Sequence, residues 1–356
     1  MTHSRRILIS GYYGFSNTGD EAVLSAIVRG LKSQADVDIT VLSASPEETA
    51  KLHGVRALPR MSLTQVTRAL KDCDLFISGG GSLIQDATSL RSLVYYLTVI
   101  SLAKRYRRKV MILGQGIGPL RRNISRRLAE RALSGVDLIT VRDAQSGELL
   151  TDMGIAPVIV TADPTFTLEP CREVESLLGE AGLDGEEDLI AVSLRRWDER
   201  PEIGDEAASA LREIADKLPA KLLLIGMQSP DDLILAKEIG EKTGIAYQPS
   251  QWTPEQMLGV VWRCRLVVGM RLHALIFAAS AGVPFLGIAY DPKVEQFIKA
   301  AGQEGITLDE MASMADKALD AWNARGELAS KLAKAVPAMR RAATENTRLA
   351  ADLISD

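Results

Sequence analysis

The sequence predicts an α/β protein made of two doubly wound domains facing across a cleft, with helices at the C-terminal end. Three observations predict it. Short apolar runs alternate with longer amphipathic stretches along the chain, the pattern of βα units and parallel sheets. At 356 residues the chain is longer than one hydrophobic core commonly serves, so two domains are expected. Between the two series of runs lies an acidic stretch, 169–188, holding Pro170, Gly179 and Gly182. The expected division is therefore an N-terminal domain at 1–168, a linker at 169–188, a C-terminal domain at 189–310 and terminal helices at 311–356.

The elements follow in order. Ile7–Ser10, Ile39–Leu42, Leu75–Ser78, Val110–Leu113, Leu138–Val141 and Val158–Val160 are short apolar runs, read as the strands of the first domain, with helices between them. One helix begins near Ala22. Another, the apolar stretch Leu93–Ala103, is 11 residues long and cannot span a bilayer. In the second domain Leu189–Leu194, Leu222–Ile225, Arg265–Val268 and Pro284–Ile288 read as strands, and Asp205–Lys217, Asp231–Thr243, Pro254–Trp262 and Leu272–Ala281 as helices. From Leu308 the pattern is helical and Ala-rich, with no strand signal.

Composition narrows the function classes. With 46% hydrophobic and 25% charged residues, collagen-like, low-complexity and disordered classes are excluded. The formal net charge is -4, but the halves differ: residues 1–168 carry 21 Lys+Arg against 15 Asp+Glu, and the rest 21 against 31. The first half is thus suited to an anionic partner. Cys73, Cys171 and Cys264 are odd in number and far apart, which rules out a disulfide framework and a paired-cysteine metal site. Arg5-Arg6 leads into an apolar run too brief for a signal-peptide core. A cytoplasmic location is expected, with no metal, no cofactor and no nucleic-acid partner.

In open α/β sheets ligands bind outside the carboxyl ends of the strands, and the unusual segments lie there. The first loop runs from Gly11 to Glu21 and contains Gly14, Asn17, Gly19 and Asp20, residues suited to an anion-binding nest at a helix start, although Asp20 could equally cap a helix. The run Gly79-Gly80-Gly81 follows the third strand and Gly114-Gln115-Gly116-Ile117-Gly118 the next. Either is a ligand loop or a tight packing turn. Arg142 follows a strand beside Asp143, a capping candidate, and Asp163-Pro164 reads as a rigid turn first and a ligand contact second.

The sharpest constellation is Gly269-Met270-Arg271-Leu272-His273-Ala274, which closes one strand and opens an apolar helix. His3 sits in the terminus and His53 in a polar loop, so His273 is the one histidine at a strand-to-helix junction. Histidine is the side chain whose ordinary pKa lies near neutrality, and the guanidinium of Arg271 suits bidentate binding of carboxylate or phosphate. Lys293 adds a cation after the neighbouring strand, although alone it reads as a surface lysine. Arg142, Arg271, His273 and Lys293 together describe a site for a small, highly charged anion. No HExxH and no GxSxG occurs, which disfavours zinc hydrolysis and a serine triad.

The segments GYYGFSNTGDEA, SGGGSL, GQGIGP, VRD, ADPTF, VSLR, GMRLHA and YDPK resemble the polysaccharide pyruvyl transferase family, and within it the CsaB type. That resemblance implies two Rossmann-like domains in a GT-B-like fold, with phosphoenolpyruvate as co-substrate and no separate cofactor. It implies as acceptor an N-acetylmannosamine in a lipid-diphosphate-linked precursor of secondary cell-wall polymer. The product would be a 4,6-linked pyruvate ketal that anchors surface-layer proteins. By motif, Arg271, Leu272 and His273 match the family's donor site, Arg142 its first-domain arginine, and Lys293 falls in the matching YDPK. His273, Lys293 and Arg271 are the expected catalytic residues, and Gly14, Asn17, Gly19, Asp20, Gly79, Gly80, Gly81, Gln115, Gly116 and Asp163 the expected loop contacts.

The basic first half would suit a lipid diphosphate or the inner face of the cell membrane, with Lys104–Lys109 and Arg121–Arg127 as candidate patches against a plain solvated helix face. Two other functions share this fold class: a glycosyltransferase using a nucleotide sugar, and a non-catalytic phosphometabolite-binding protein.

Overall fold

The computed structural model describes residues 4–183, 188–197, 200 and 203–355, so His3 lies outside the described residues. The chain divides into two units: Met1–Phe15, Asp20–Leu168 and Met339–Asp356 form the first, Ser16–Gly19 and Glu169–Ala338 the second.

Strands and helices alternate through the first unit as β1 (Arg5–Ser10), α1 (Thr18–Gln34), β2 (Val37–Ser43), α2 (Pro46–His53), β3 (Arg56–Pro59), α3 (Leu63–Asp72), β4 (Leu75–Gly79), α4 (Leu90–Arg105), β5 (Lys109–Gln115), α5 (Asn123–Leu133), β6 (Leu138–Val141), α6 (Ala144–Asp152) and β7 (Ile159–Val160). The sheet is parallel with order β3-β2-β1-β4-β5-β6-β7. Both faces are buried, as a parallel sheet requires: Ile7, Ile9, Ile77, Met111 and Leu113 pack into one apolar cluster, and Leu8, Phe76, Val110 and Ile112 into another. Each such side chain contributes about 1.5–3 kcal/mol by leaving water.

The second unit contains α7 (Glu175–Glu180), β8 (Leu189–Ser193), α8 (Ile203–Lys217), β9 (Lys221–Leu224), α9 (Asp231–Thr243), β10 (Ala246–Tyr247), α10 (Pro254–Arg263), β11 (Cys264–Gly269), α11 (Leu272–Ala281), β12 (Phe285–Ala289), α12 (Pro292–Ala300), β13 (Glu304–Thr307) and α13 (Met314–Asn323). Helix α14 (Arg325–Ser355) begins in this unit and ends in the first. The parallel sheet has order β10-β9-β8-β11-β12-β13. Local chemistry sets the helix ends. Thr253 and Gln256 form a reciprocal capping box at α10, Asp291 caps α12 ahead of Pro292, and Gly244 and Gly282 close α9 and α11 in the left-handed conformation.

Each unit therefore repeats one winding, in which the strand order reverses beside the first strand: at β1 and β4, and at β8 and β11. Ligands in this architecture bind where that reversal opens a crevice at the carboxyl ends.

Several local expectations change. Three edge or near-edge strands, β3, β10 and β13, were not read as strands, because Arg56-Ala57-Leu58-Pro59, Ala246-Tyr247 and Glu304-Gly305-Ile306-Thr307 carry no sustained apolar run. Helix α1 starts at Thr18 rather than near Ala22, and Asn17 instead of Asp20 accepts from an orphan amide, that of Gly19 at 3.0 Å. His53 is not in a polar loop. It ends α2, with its ring buried and Nε2 2.8 Å from Glu21. The stretch expected as a linker holds α7, buries Val174, Leu177 and Leu178, and donates from the Cys171 amide to the Glu255 carbonyl at 2.8 Å, so its described residues pack within the second unit.

Candidate active site

In the second unit the register of neighbouring strands gathers the motif residues. Gly269 of β11 lies level with Ser193 of β8 on one side and Gly287 of β12 on the other. Arg271, Arg195 and Tyr290 therefore follow three adjacent strands at their carboxyl ends, and Lys293 stands in the first turn of α12. The Met270 amide donates to the Ser193 carbonyl at 2.8 Å and fixes the start of the Arg271 turn.

Arg271 does not present its whole fork to a ligand. Its Nε and Nη2 donate to the two oxygens of Asp232 at 2.9 and 2.5 Å, and the Asp232 side chain is 1% exposed. Asp232 also accepts from the Met227 and Gln228 amides at 3.1 and 3.0 Å. The remaining edge of Arg271, Nη1, has no partner among the described residues. A carboxylate that holds two sides of a guanidinium aims the third.

Residues 16–19 join this network. Asn17 Nδ2 donates to Gln228 Oε1 at 2.8 Å, the Thr18 amide to the Met227 carbonyl at 2.8 Å, and the Ser229 amide to the Ser16 carbonyl at 3.0 Å. Gly19 then lies against His273: a Cβ there would fall 2.2 Å from Nδ1. Glycine is required at this position in the first turn of α1 because the imidazole occupies the space of its side chain. Asp232 thereby positions Arg271 directly and, through the 227–229 loop, the segment on which His273 rests. Leu272 and His273 form the first turn of α11 and are half-buried.

Sequence reasoning did not single out Arg195. It follows β8, the strand beside which the order reverses, and its guanidinium lies 5.2 Å from the Trp197 ring and 5.1 Å from the Tyr290 ring. Its only hydrogen bond goes from Nε to the Arg196 carbonyl at 3.4 Å, and no carboxylate pairs with it among the described residues. Its signal was available in VSLR: an arginine just past the end of a fully buried strand.

The first unit brings a second set together. Arg142, its side chain 6% exposed, donates from Nη1 to Asp163 at 2.9 Å and from Nη2 to Ser82 at 3.0 Å. Asp163 is fixed in turn by the amide and hydroxyl of Thr165, at 3.1 and 2.7 Å. Gly116 underlies this pair, since a Cβ there would meet Arg142 Nε at 2.9 Å. Gly81, at φ +68, leaves room for Asp20, whose Oδ1 a Cβ would approach to 2.6 Å, and Gly80, at φ +63, faces Val23. Gly79 accepts from the Tyr13 hydroxyl at 2.7 Å. Gln115 is fully buried and donates to the Ser78 carbonyl and hydroxyl at 2.8 and 2.9 Å. Gly14, at φ +75, donates its amide to Glu21 at 2.7 Å. Gly81 and Gly116 thus pack closely on charged side chains and Gly80 on an apolar one, and Arg142 with Asp163 belongs to a different unit from Arg271, Leu272, His273 and Lys293.

The first of the two basic stretches is largely occupied. Lys104 donates to the carbonyls of Arg131, Ala132 and Ser134 at the end of α5, and burial lowers its pKa. Arg108 donates to the Tyr106 and Cys73 carbonyls, and Lys109 to that of Leu353. On α5 and the residues before it, by contrast, Arg121, Arg122, Arg126, Arg127 and the apolar Ile124 and Leu128 are exposed. Among the described residues no helix is long and apolar enough to cross a membrane.

Known proteins resemble the chain in both fold and sequence. The MnaA–UDP structure of S. aureus superposes with a TM-score of 0.70 at 11% identity, covering 99% of this chain and 98% of that one. UDP-GlcNAc 2-epimerase from Neisseria meningitidis superposes with a TM-score of 0.65 at 12% identity, covering 99% and 100%. At such identities the likeness concerns the fold, which is GT-B-like with two parallel-sheet α/β units. In sequence, the chain is 23% identical over 380 aligned positions to the amylovoran biosynthesis protein AmsJ of Erwinia amylovora, covering 88% of this chain and 89% of that protein. The family model for polysaccharide pyruvyl transferase matches residues 17–292, from the loop that carries Asn17 and Gly19 to the turn before Lys293. With that match spanning both sets of strand-end residues, the chain belongs to the polysaccharide pyruvyl transferase family.

Proposed function

We propose that the protein transfers the pyruvyl group of phosphoenolpyruvate to two hydroxyls of one sugar, forming a 4,6-ketal and releasing phosphate. The observation that carries this reading is the Arg271-Leu272-His273 turn beside the strand-order reversal of the second sheet, flanked by Arg195 and Lys293. Phosphoenolpyruvate bears a carboxylate and a phosphate on three carbons, so its binding demands several cations in a small space. Lys293, the open edge of Arg271, and Arg195, which meets no carboxylate among the described residues, supply them in this unit. Arg142 is the fourth cation assigned to the donor, held ready by Asp163 and Ser82.

His273 acts as general acid and base. Proton delivery to the methylene carbon makes the methyl group and leaves an electron-poor carbon that one sugar hydroxyl attacks, losing its proton. Departure of phosphate, its charge stabilised by Lys293, regenerates that carbon for the second hydroxyl. Of the two hydroxyl protons, one replaces the proton given to carbon and one leaves with phosphate, so the step balances without a cofactor.

For the acceptor we propose N-acetylmannosamine in a lipid-diphosphate-linked precursor of secondary cell-wall polymer, as in the CsaB type, at the inner face of the cell membrane. The relative named for amylovoran biosynthesis favours a second acceptor, a saccharide unit of an exported polysaccharide of that kind. The test incubates the protein with phosphoenolpyruvate and each lipid-linked acceptor and follows pyruvate addition by mass spectrometry. Stabilisation against heat by a UDP-sugar but not by phosphoenolpyruvate would instead identify a nucleotide-sugar transferase. Donor binding without phosphate release would identify a binding protein.

A further inference from the structure

The carboxyl-end edge of the first sheet carries an aromatic cluster that the donor reading does not use. Tyr12 and Phe15, in the loop after β1, stack with ring centroids 4.1 Å apart and planes 9° from parallel, and both are half-buried. Between them in sequence, Tyr13 is buried and bonded to Gly79, so the aromatic run divides into one core ring and two at the sheet edge. Arg60, directly after β3, places its guanidinium 4.1 Å from the Tyr95 ring, 5.0 Å from Phe15 and 5.4 Å from Tyr96. Its backbone is fixed at both ends: the amide donates to the Ser43 carbonyl at 2.9 Å, and the Tyr95 hydroxyl donates to the Arg60 carbonyl at 3.1 Å.

Arg60 differs from Arg142 and Arg271, each of which meets a buried aspartate. No carboxylate pairs with Arg60 among the described residues, and its Nε is buried without a hydrogen-bond partner. Ring faces attract a guanidinium without satisfying its edge donors, and the hydrogen bond that Arg60 shares with the Tyr96 side chain leaves Nε without a partner. An apolar side chain would fill the same space without leaving a buried donor unsatisfied. The arrangement makes physical sense when an oxygen anion arrives at that edge.

Asp20 completes the chemistry. Burial and then the charge of Asp20 raise the Tyr12 pKa, against the opposing influence of Arg60, so the phenol stays a proton donor near a carboxylate acceptor. The missing side chain of Gly81 makes room for that carboxylate itself, since a Cβ there would fall 2.6 Å from Oδ1. A flat apolar ring face, with a donor and an acceptor at its rim, matches the C–H face and hydroxyls of a sugar.

We propose that Tyr12, Phe15, Arg60 and Asp20 form a binding site for a phosphorylated saccharide, its sugar ring on the Tyr12–Phe15 pair and its phosphate on the edge of Arg60. This rests on the acceptor being a saccharide and assigns the phosphate-bearing part of that acceptor to the first unit. A diphosphate attached to a lipid and one attached to a nucleoside share this chemistry.

Calorimetry on the full chain distinguishes them with three probes: a short-prenyl diphosphate disaccharide ending in N-acetylmannosamine, the same disaccharide without phosphate, and UDP. The expected result is that wild type binds the diphosphate disaccharide most tightly. Arg60→Gln should weaken that binding about tenfold or more, the loss of one charged hydrogen bond, and leave the phosphate-free disaccharide unaffected. Tyr12→Ala should weaken both disaccharides, and it carries the test if Arg60→Gln fails to fold. Absence of binding to wild type, equal affinity for all variants, or tighter Arg60-dependent binding of UDP than of the disaccharide overturns the proposal. Arg60-dependent binding without any pyruvate addition leaves this site standing and removes the reaction. Pyruvate addition with an unchanged acceptor KM in Arg60→Gln does the reverse.

Discussion

Gly19 lies flat against the imidazole of His273, so that a Cβ built on it would fall 2.2 Å from Nδ1 and 2.4 Å from Cγ. No φ in the left-handed region is involved, so alanine at this position is barred by the histidine ring and not by the backbone. Gly19→Ala should displace His273 and lower turnover about 10²-fold, the lower end of what a misplaced acid–base group loses, while circular dichroism stays native. His273→Ala should lose about 10²–10⁴-fold in turnover. If His273→Ala loses donor affinity alone, His273 is a binding residue and the proton carrier must be sought at Asp20 or Asp163.

Arg271 and Asp232 should separate binding from positioning. Lysine has no second edge to meet Asp232 and donor together, so Arg271→Lys should weaken donor binding by roughly 1.5–3 kcal/mol, read as a raised KM for phosphoenolpyruvate. Asp232→Asn leaves a poorly exposed guanidinium without its charge partner, and removing one partner of such a pair commonly costs about 3–5 kcal/mol of stability. A wild-type melting temperature for Asp232→Asn would contradict the role of Asp232 as the anchor of the Arg271 turn.

Arg195→Gln tests the cation that the sequence reading passed over. It should raise the donor KM about tenfold or more and leave the acceptor KM unchanged, since its charge meets no protein carboxylate among the described residues. Equal donor KM in variant and wild type would make it a packing residue of the Trp197–Tyr290 cluster.

Vesicle binding should follow the exposed arginines of α5 and the residues before it, not Lys104. Sedimentation with anionic vesicles at low salt, and release at high salt, is expected for the wild type and should be reduced by Arg122→Glu with Arg127→Glu. Lys104→Met should bind vesicles as before but melt earlier, because its ammonium closes the C-terminal end of α5. Salt-independent sedimentation would exclude the basic stretch as the cause.

Thiol labelling checks the packing of both units. Burial pushes the Cys73 and Cys264 thiols up to about 12, so neither should react with an aromatic disulfide reagent at pH 8, whereas the half-buried Cys171 should. Rapid labelling of all three in the native protein would contradict the buried environment of β11 and of the turn before β4.

The sequence by itself determined the alternation of strands and helices, the long apolar strands and the ends of the helices between Asp231 and Ala281 to within a residue. Those depend on local pattern and capping chemistry, as at Thr253 and Gly282. It also marked the motif at Arg271 and His273, because a polar pair between a buried strand and an apolar helix breaks a pattern that packing alone explains. Tertiary structure decided what those residues are attached to. Asp232 is 39 residues from Arg271, Gly19 far from His273, and Asp163 is 21 from Arg142, separations over which no periodicity reports a contact. The edge strands β3, β10 and β13 were hidden for the same reason: their pairing partners stabilise them, and their own residues do not. Whether a cation is available also depends on the fold. Lys104 and Lys109 look like surface charge in the sequence but are held by backbone carbonyls, while Arg195 and Arg60, unremarkable in the sequence, keep charges that no carboxylate of the described residues neutralises.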